Sequence, residues 1–296
     1  MELNVITASK KEQKITDAPS MISVVLREDI EKMGVTSLID VLKYLPYIET
    51  SIGSDGEYRV DIRGVRKYGN ILVLINGQST NNFYDGRSIY DFPVAFIDKI
   101  EVITGPNSAL YGTNAVVGVI NIFTSGEINS VSGGAGTNGT YIQNFNYNGI
   151  KNKISTGFTG GFLQSEGPNT FIESDAKSKE PWSLTYGDKS AKTNRWVKDL
   201  YFGTQLKFSN CNVNFFGINR NRGSWAGPLY ILTNESRITS NQFIFSTSYD
   251  FKINNRLVIT PKIYGNSIGN DFLYQEAPDG YVSNISGDVF EDGKLT

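Results

Sequence analysis

The sequence contains no histidine, and Cys211 is the one cysteine among its 296 residues. Without histidine, the chain can supply neither imidazole acid–base catalysis, nor a Ser-His-Asp triad, nor an imidazole metal ligand. A single cysteine excludes an intrachain disulfide and the Cys₄ and Cys₂His₂ metal sites. The longest uninterrupted apolar runs have five or six residues, whereas a membrane-spanning helix needs about 20. We therefore predict no catalytic residues, no bound metal or other cofactor, and no spanning helix.

An excess of one charge is also absent. The 28 Lys and Arg residues face 30 Asp and Glu residues, which gives a net charge of −2. This balance does not indicate a polyanionic partner, so we expect no nucleic-acid binding. Met1 is followed directly by Glu2, without a basic segment and an apolar core, so we predict no signal peptide in the chain. Either the protein is cytosolic or the chain starts after a removed leader, and the patterns below favour the second alternative.

The first part of the chain, up to about residue 127, mixes helix and strand signals. Ser37 and Asp40 form an S-x-x-D capping pattern before an apolar stripe, and Pro46 ends the predicted helix. Asn76-Gly77 after ILVLI is a strong hairpin signal. Strands are predicted at 22–26, 57–64, 71–75, 99–104 and 116–124. These signals predict a small α+β domain.

The second part is richer in aromatic residues, with 25 against 11 before it, and alternates with period two. The clearest example is 198–208, where Leu200 and Phe202 share one face and Asp199 and Tyr201 the other. Adjacent Phe215 and Phe216 interrupt the alternation, which predicts a bulge in that strand. Further strands are predicted at 140–148, 154–162, 212–222, 242–252 and 257–266, with short turns near 149–152, 210–211 and 253–255 and long loops at 165–196, at 223–238 and from 269 onward.

Long alternating strands joined by short turns on one side and long loops on the other are typical of an outer-membrane β-barrel. A soluble β-sandwich also alternates, but its strands usually have five or six residues. The predicted strands are longer, and their polar faces carry small residues and amides, which favours the barrel.

Residues 97–124 (IDKIEVITGPNSALYGTNAVVGVINIFT) resemble the plug domain of TonB-dependent outer-membrane receptors. Ile62-Arg63-Gly64 and LVLINGQ (72–78) are similar to two other plug segments, 38–49 resembles the first plug helix, and NVITAS (4–9) resembles the TonB box. The resemblance covers about residues 3–127 in detail and 128–296 by architecture. It implies a box and linker at 1–12, an α+β plug domain at 13–127, and antiparallel transmembrane strands at 128–296.

The family implies energy-coupled uptake of a scarce nutrient across the outer membrane, by a receptor rather than an enzyme. Its partners would be TonB, outer-membrane lipid and a small-molecule nutrient, with a ferric siderophore as the default. The alternatives are cobalamin or haem, or a nonfunctional or binding-only receptor fragment. A passive porin would need neither plug nor box. About seven strands are predicted where the family has 22, so we expect an incomplete barrel, because an open strand edge is not tolerated in hydrocarbon.

The resemblance also assigns residues. TonB binding is predicted for Asn4, Val5, Ile6, Thr7 and Ala8, which would add to TonB as an extended strand. Ligand binding is predicted for the apical plug loops 51–58 and 78–92, through Asp55, Tyr58, Asn81, Asn82, Phe83, Tyr84, Asp85, Arg87 and Tyr90. Arg63 and Glu101 are predicted to form plug–barrel or intraplug ion pairs. Thr104 replaces an arginine that the family usually carries and that often joins this ion-pair latch. Gly134, Gly136 and Gly139 match GxGxxG, but no helix follows, which excludes a nucleotide site.

Overall fold

The computed structural model describes residues 4–10, 12–18, 20–124, 129–187, 189–226, 229–254, 257–275, 290–291 and 294–295. We define the N-terminal unit as residues 4–124. Its strands are β1 (Asn4–Val5), β2 (Gln13–Lys14), β3 (Ile22–Leu26), β4 (Ile48–Ile52), β5 (Tyr58–Ile62), β6 (Ile71–Ile75), β7 (Gln78–Ser79), β8 (Lys99–Thr104) and β9 (Gly118–Phe123). Its helices are α1 (Arg27–Met33), α2 (Leu38–Leu42) and α3 (Ser108–Tyr111), with 3₁₀ turns at Ile15–Asp17 and Val94–Phe96.

The core of the N-terminal unit is a five-stranded sheet in the order β3-β8-β9-β6-β7. All five residues of β6 are buried, and they alternate between two apolar clusters, one on each face of the sheet. A strand covered on both faces carries an uninterrupted apolar run, which explains ILVLI. Asn76 and Gly77 both have positive φ, at 49° and 75°, and turn β6 back into β7 as the sequence predicts.

The remaining strands follow in chain order. They are β10 (Ser130–Gly136), β11 (Thr140–Lys151), β12 (Ile154–Ser165), β13 (Phe171–Ile172), β14 (Ala191–Lys192), β15 (Val197–Phe208), β16 (Cys211–Gly223), β17 (Arg237–Tyr249), β18 (Phe251–Asn254), β19 (Leu257–Ile259), β20 (Lys262–Leu273), β21 (Phe290–Glu291) and β22 (Lys294–Leu295). Seven of them form one antiparallel sheet in the order β10-β11-β12-β15-β16-β17-β20, which we call the long-strand sheet. Its order follows the chain, as up-and-down connections produce.

The two faces of the long-strand sheet differ as predicted. On β15, Asp199 and Tyr201 are each 1% exposed, whereas Leu200 on the opposite face is 49% exposed. On β17, Gln242 and Ile244 are buried, and the intervening Phe243 is exposed. The inner face packs on the N-terminal unit, and the outer face presents aromatic and aliphatic side chains. Among the described residues, no helix has both the length and the apolar character to cross a membrane.

Aromatic packing joins the sheet to the N-terminal unit. Phe92 lies against Phe216 and Tyr201, with ring centroids 5.3 and 6.1 Å apart, and Phe96 lies 6.3 Å from Tyr201. A Cβ at Gly161 on β12 would lie 2.5 Å from Phe96 Cζ, so this glycine allows Phe96 to approach the sheet. Burying each of these rings contributes roughly 1.5–3 kcal/mol. The interface between the two parts is therefore an apolar core and not a loose contact.

The predicted bulge in 212–222 is wrong. β16 pairs in unbroken register with β15 and with β17 from Cys211 to Gly223. Phe215 points outward toward Phe202 and Phe243, and Phe216 points inward onto Phe92. Adjacent aromatic residues occupy opposite faces of a regular strand when the inner face meets an apolar core instead of water. A register shift occurs instead between Lys252 and Asn254 in the β18–β19 hairpin.

Candidate functional site

The two predicted apical loops meet in the structure. Arg87 of the second loop forms ion pairs with Asp55 of the first loop at 3.0 Å and with Asp85 of its own loop at 3.2 Å. Its guanidinium also lies 4.7 Å from the centroid of the Tyr68 ring. Desolvation alone would lower the pKa of Arg87, but Asp55 and the other neighbouring acidic groups raise it, so the side chain stays charged. Arg87 thus ties the two loops together.

A cavity of about 520 Å³ opens beside this ion pair, between the second apical loop and the end of β20. It is lined by Asp55, Asn82, Tyr84, Asp85, Arg87, Ile268, Asn270, Phe272 and Tyr274. Its size falls within the usual range for small-molecule sites, and its walls combine aromatic rings, amides and charges. The structure therefore brings five of the predicted ligand residues to one cavity, together with four residues of the long-strand sheet and its exit that the sequence did not indicate.

Phe83 and Tyr84 form the exposed tip of the second loop. Their relative exposures are 104% and 95%, so neither ring packs on the protein. Asn82 holds the turn beneath them, because its Oδ1 accepts a hydrogen bond from the Tyr84 N–H at 2.8 Å and its carbonyl accepts one from Gly86. A pair of unpacked rings on a braced loop is arranged to contact something outside the chain.

Asn81 is buried and acts as a clamp at the base of this loop. Its Oδ1 accepts a hydrogen bond from the Val73 N–H at 2.9 Å, and its Nδ2 donates to the carbonyls of Ile71 and Gly86, both at 2.9 Å. These bonds occupy the amide. Tyr90 is also buried, at 7% exposure, and Tyr58 lines a different cavity. Ligand contact by these three residues stays a prediction.

We expect Asn81→Ala to loosen the loop without changing the sheet. The substitution leaves the buried Val73 N–H and Ile71 carbonyl without their partner, which costs about 1–3 kcal/mol. Amide hydrogen exchange in residues 82–88 should accelerate, whereas exchange in β9 should not. Asn82→Ala is the comparison variant: it removes the one side-chain bond that braces the exposed tip, so it should accelerate exchange less than Asn81→Ala. Equal exchange in the two variants would contradict the clamp.

The first apical loop also contacts the long-strand sheet. The Ala226 N–H, after β16, donates to the Ser54 carbonyl at 3.0 Å. Arg220 Nη2, on β16, lies 3.1 Å from both Glu57 Oε2 and Asp91 Oδ2. These contacts connect the apical loops to the inner face of the sheet.

Glu57, Asp91, Asp199, Arg220 and Arg222 form one buried group, which we call the ion cluster. Arg222 bridges Asp91 of the N-terminal unit and Asp199 of β15. All five residues are less than 9% exposed. Arg220 and Arg222 are two positions apart and therefore lie on the same face of β16. Two cations on an inward face require acidic partners, so this spacing is a sequence signal for the ion cluster. The bulge predicted in this strand left the face of the two arginines undetermined.

The pKa of Asp91 predicts acid sensitivity of this interface. Burial alone would raise the pKa, but Arg220 and Arg222 outweigh it and lower it from 3.8 to about 2. A carboxyl whose pKa is depressed by folding stabilises the folded state above its unfolded pKa and loses this contribution as pH falls. We expect about 2 kcal/mol to disappear between pH 4 and pH 2. Melting curves across this range should show the loss, and Asp91→Asn should flatten that dependence. A wild-type midpoint that is constant from pH 4 to pH 2 would contradict this.

Arg63 and Glu101, for which plug–barrel or intraplug ion pairs are predicted, both contact residues of the N-terminal unit. Glu101 is fully buried and pairs with Lys99 at 2.7 Å, so its ion pair lies within the N-terminal unit. Arg63 is exposed and lies 5.8 Å from the Tyr47 ring centroid. Within the described part of the chain, the ion pairs that cross to the long-strand sheet belong to the ion cluster. In these crossing ion pairs the sheet supplies the cationic side chains and the N-terminal unit supplies the acidic ones.

The N-terminal segment 4–8 is docked on the N-terminal unit. Val5 and Thr7 are fully buried. Glu101 accepts hydrogen bonds from the Ile6 and Thr7 N–H groups and from Thr7 Oγ1, and the Tyr111 hydroxyl donates to the Thr7 carbonyl at 2.7 Å. Burial alone would raise the pKa of Glu101, but Lys99 and these donors lower it. The segment is thus folded in this state, and binding to a partner as an added strand would require its release.

Comparison with known proteins agrees with this architecture. The family model described as TonB-dependent Receptor Plug Domain matches residues 14–119. The chain is 36% identical over 193 residues to the vitamin B12 transporter BtuB of Vibrio vulnificus (strain CMCP6); the match covers 63% of this chain and 30% of that protein. The chain thus spans about a third of the length of this curated relative.

Solved structures show the same fold. The siderophore receptor PiuA of Acinetobacter baumannii has a TM-score of 0.63 at 16% identity, over 88% of this chain and 38% of that one. The ferric-catecholate import receptor Fiu of E. coli K12, in its open form, has a TM-score of 0.62 at 14% identity, over 88% and 40%. The plug match lies on the N-terminal unit, and the fold likeness extends over the long-strand sheet, an incomplete barrel wall of seven antiparallel strands. Residues 14–119 carry the plug domain of the TonB-dependent receptors, and the strand architecture of the whole chain resembles theirs.

Proposed function

We propose that this chain acts in an outer-membrane receptor that takes up a scarce nutrient by energy coupling through TonB. Residues 1–12 would be the TonB box and linker, 13–127 the plug, and 128–296 strands of the barrel wall in contact with lipid. The observation that carries the proposal is the apical cavity, in which two plug loops and β20 surround space for a bulky polar ligand. Binding and transport, not catalysis, are the proposed activity.

A corrinoid such as cobalamin is the first candidate ligand. The sequence relative at 36% identity is a vitamin B12 transporter, whereas the siderophore receptors share only the fold at 14–16% identity. The charges that line the apical cavity also favour a corrinoid over a siderophore. Of the described residues that line it, Arg87 is the one cation, and it is already paired with Asp55 and Asp85. A polyanionic chelate would meet two carboxylates there and no free cation, which costs affinity.

Ferric siderophores are the second candidate class, because the fold neighbours are siderophore receptors and a neutral or cationic chelate would suit the same lining. Deleting the gene that encodes this chain in the source bacterium separates the two candidates. We expect loss of ⁵⁷Co-cyanocobalamin uptake with unchanged ⁵⁵Fe-siderophore uptake. The opposite pattern would assign the siderophore, and no change in either would contradict the proposed function.

Tyr84→Ala tests the apical cavity itself. Loss of an exposed ring that clasps the ligand should weaken binding to cells about tenfold. Tyr44→Ala is the matched control, since Tyr44 is a 64% exposed tyrosine of the same unit outside the cavity lining. Equal affinities of the two variants would place ligand recognition away from this loop.

A further inference from the structure

The ion cluster carries an unbalanced negative charge. It contains three carboxylates, on Glu57, Asp91 and Asp199, and two guanidinium groups, on Arg220 and Arg222. Burial removes the solvent that would otherwise compensate the extra charge, so a buried carboxylate without a counter-charge strongly disfavours the folded state. A proton or a bound cation would balance this charge.

Two oxygen atoms of the cluster are left without partners. Asp91 Oδ1 and Asp199 Oδ1 are buried and have no hydrogen-bond partner among the described residues, although the Oδ2 atoms of both side chains contact Arg222. Asp91 is 8% and Asp199 1% exposed. Arg220 Nε and Arg222 Nε also have no partner in the part of the chain that the structure describes, but the excess charge is negative, and this favours a cation over an anion.

Both carboxylates line a cavity of about 360 Å³ between the N-terminal unit and the long-strand sheet. Its lining combines oxygen-bearing side chains from both parts, among them Ser37, Tyr58, Asn144 and Tyr201, with apolar side chains. Arg222 also lines it, but both of its terminal nitrogens are paired with the two carboxylates, which leaves the Oδ1 atoms for another partner. Asp40 also lines it, but its carboxylate is already paired with Lys43 and Ser37. Carboxylate, amide and hydroxyl oxygens are the donors that hard metal ions prefer.

We propose that this cavity binds one monovalent metal cation, Na⁺ or K⁺, between the carboxylates of Asp91 and Asp199. One positive charge balances the cluster, and the cavity supplies neutral oxygens for the remaining coordination positions. The ion joins the plug to the barrel wall, because Asp91 belongs to the first and Asp199 to the second. The site is separate from the apical cavity and does not depend on which nutrient is carried.

Melting temperature in detergent at pH 7 tests the proposal, with choline chloride replaced stepwise by NaCl at constant ionic strength. An ion that binds the folded state alone raises the midpoint in a saturable manner, so the wild-type protein should gain a few degrees. Asp199→Asn should abolish the gain and melt in choline at or above the wild-type midpoint, because it removes the unbalanced charge while one oxygen remains for Arg222. Asp271→Asn, an exposed carboxylate of β20, should respond as the wild type does.

A second variant separates ion binding from general destabilisation. Asn144→Ala removes one neutral donor of the cavity and should shift the response to higher NaCl, with a nearly unchanged midpoint in choline. The proposal is overturned if the wild type does not respond to NaCl or KCl, or if Asp199→Asn responds as fully as the wild type. A wild-type midpoint that ignores both salts but rises on mild acidification would show that a proton on Asp199 completes the cluster, which also overturns it.

Discussion

Replacement of Arg222 by leucine should lower the free energy of unfolding by about 3–5 kcal/mol, the cost of leaving a buried ion-pair partner uncompensated. Arg222 is 4% exposed and contacts both Asp91 and Asp199. The apolar substitute leaves Asp199 without its guanidinium partner and leaves Asp91 with Arg220 alone at the plug–wall interface. The measurement is thermal or urea unfolding of the protein in detergent, supported by the rate of proteolysis in the plug.

Arg27→Leu is the matched control for this substitution. Its ion pair with Asp98, at 3.4 Å, is partly solvated, with side-chain exposures of 17% and 40%. A pair of this kind contributes about 0–1 kcal/mol. If the two leucine variants lost the same stability, the ion cluster would not hold the plug to the wall.

Val5→Pro should abolish nutrient uptake while leaving binding of the nutrient to cells intact. Val5 lies in β1, which pairs with β2, and proline removes its N–H donor and fixes its φ. An added strand needs its main-chain donors to pair with TonB, so the proline variant would bind the ligand without receiving energy. Uptake and surface binding of the labelled ligand are measured in the same cells.

Val5→Ala is the control, because it shortens the side chain and keeps the main-chain donor. It should retain most of the uptake. Wild-type uptake by Val5→Pro would show that residues 4–8 do not pair with TonB as a strand. Loss of surface binding in the same variant would instead indicate that the docked segment supports the plug through its contacts with Glu101.

Local patterns in the sequence predicted much of the fold. The buried run of β6 with its Asn-Gly turn, and the alternation of β15, each depend on neighbouring residues and were confirmed. α1 (Arg27–Met33) was missed because Ile30 is its one buried residue and leaves no apolar stripe. α2 starts after Ser37 as predicted, although the Ser37 hydroxyl donates to Asp40 Oδ2 and does not cap the backbone.

The site was less accessible to sequence reasoning, because its contacts join distant segments. Arg220 and Glu57 are 163 positions apart, and nothing local to either residue indicates the other. The apical loops were predicted as segments from the family resemblance, but individual roles depended on side-chain direction. Asn81 turns inward to three backbone groups, whereas Tyr84, three positions on, faces outward. The two side chains point in opposite directions because the chain turns between them, and Asn82 stabilises that turn.

The most direct test of energy-coupled uptake is the rate at which cells take up labelled cobalamin before and after a protonophore collapses the inner-membrane gradient. The strain should express the gene of this chain as its sole cobalamin receptor. We predict that uptake falls to background while binding at the cell surface persists. Uptake that continues at an unchanged rate without the gradient would contradict the account, because it would make the protein a passive pore.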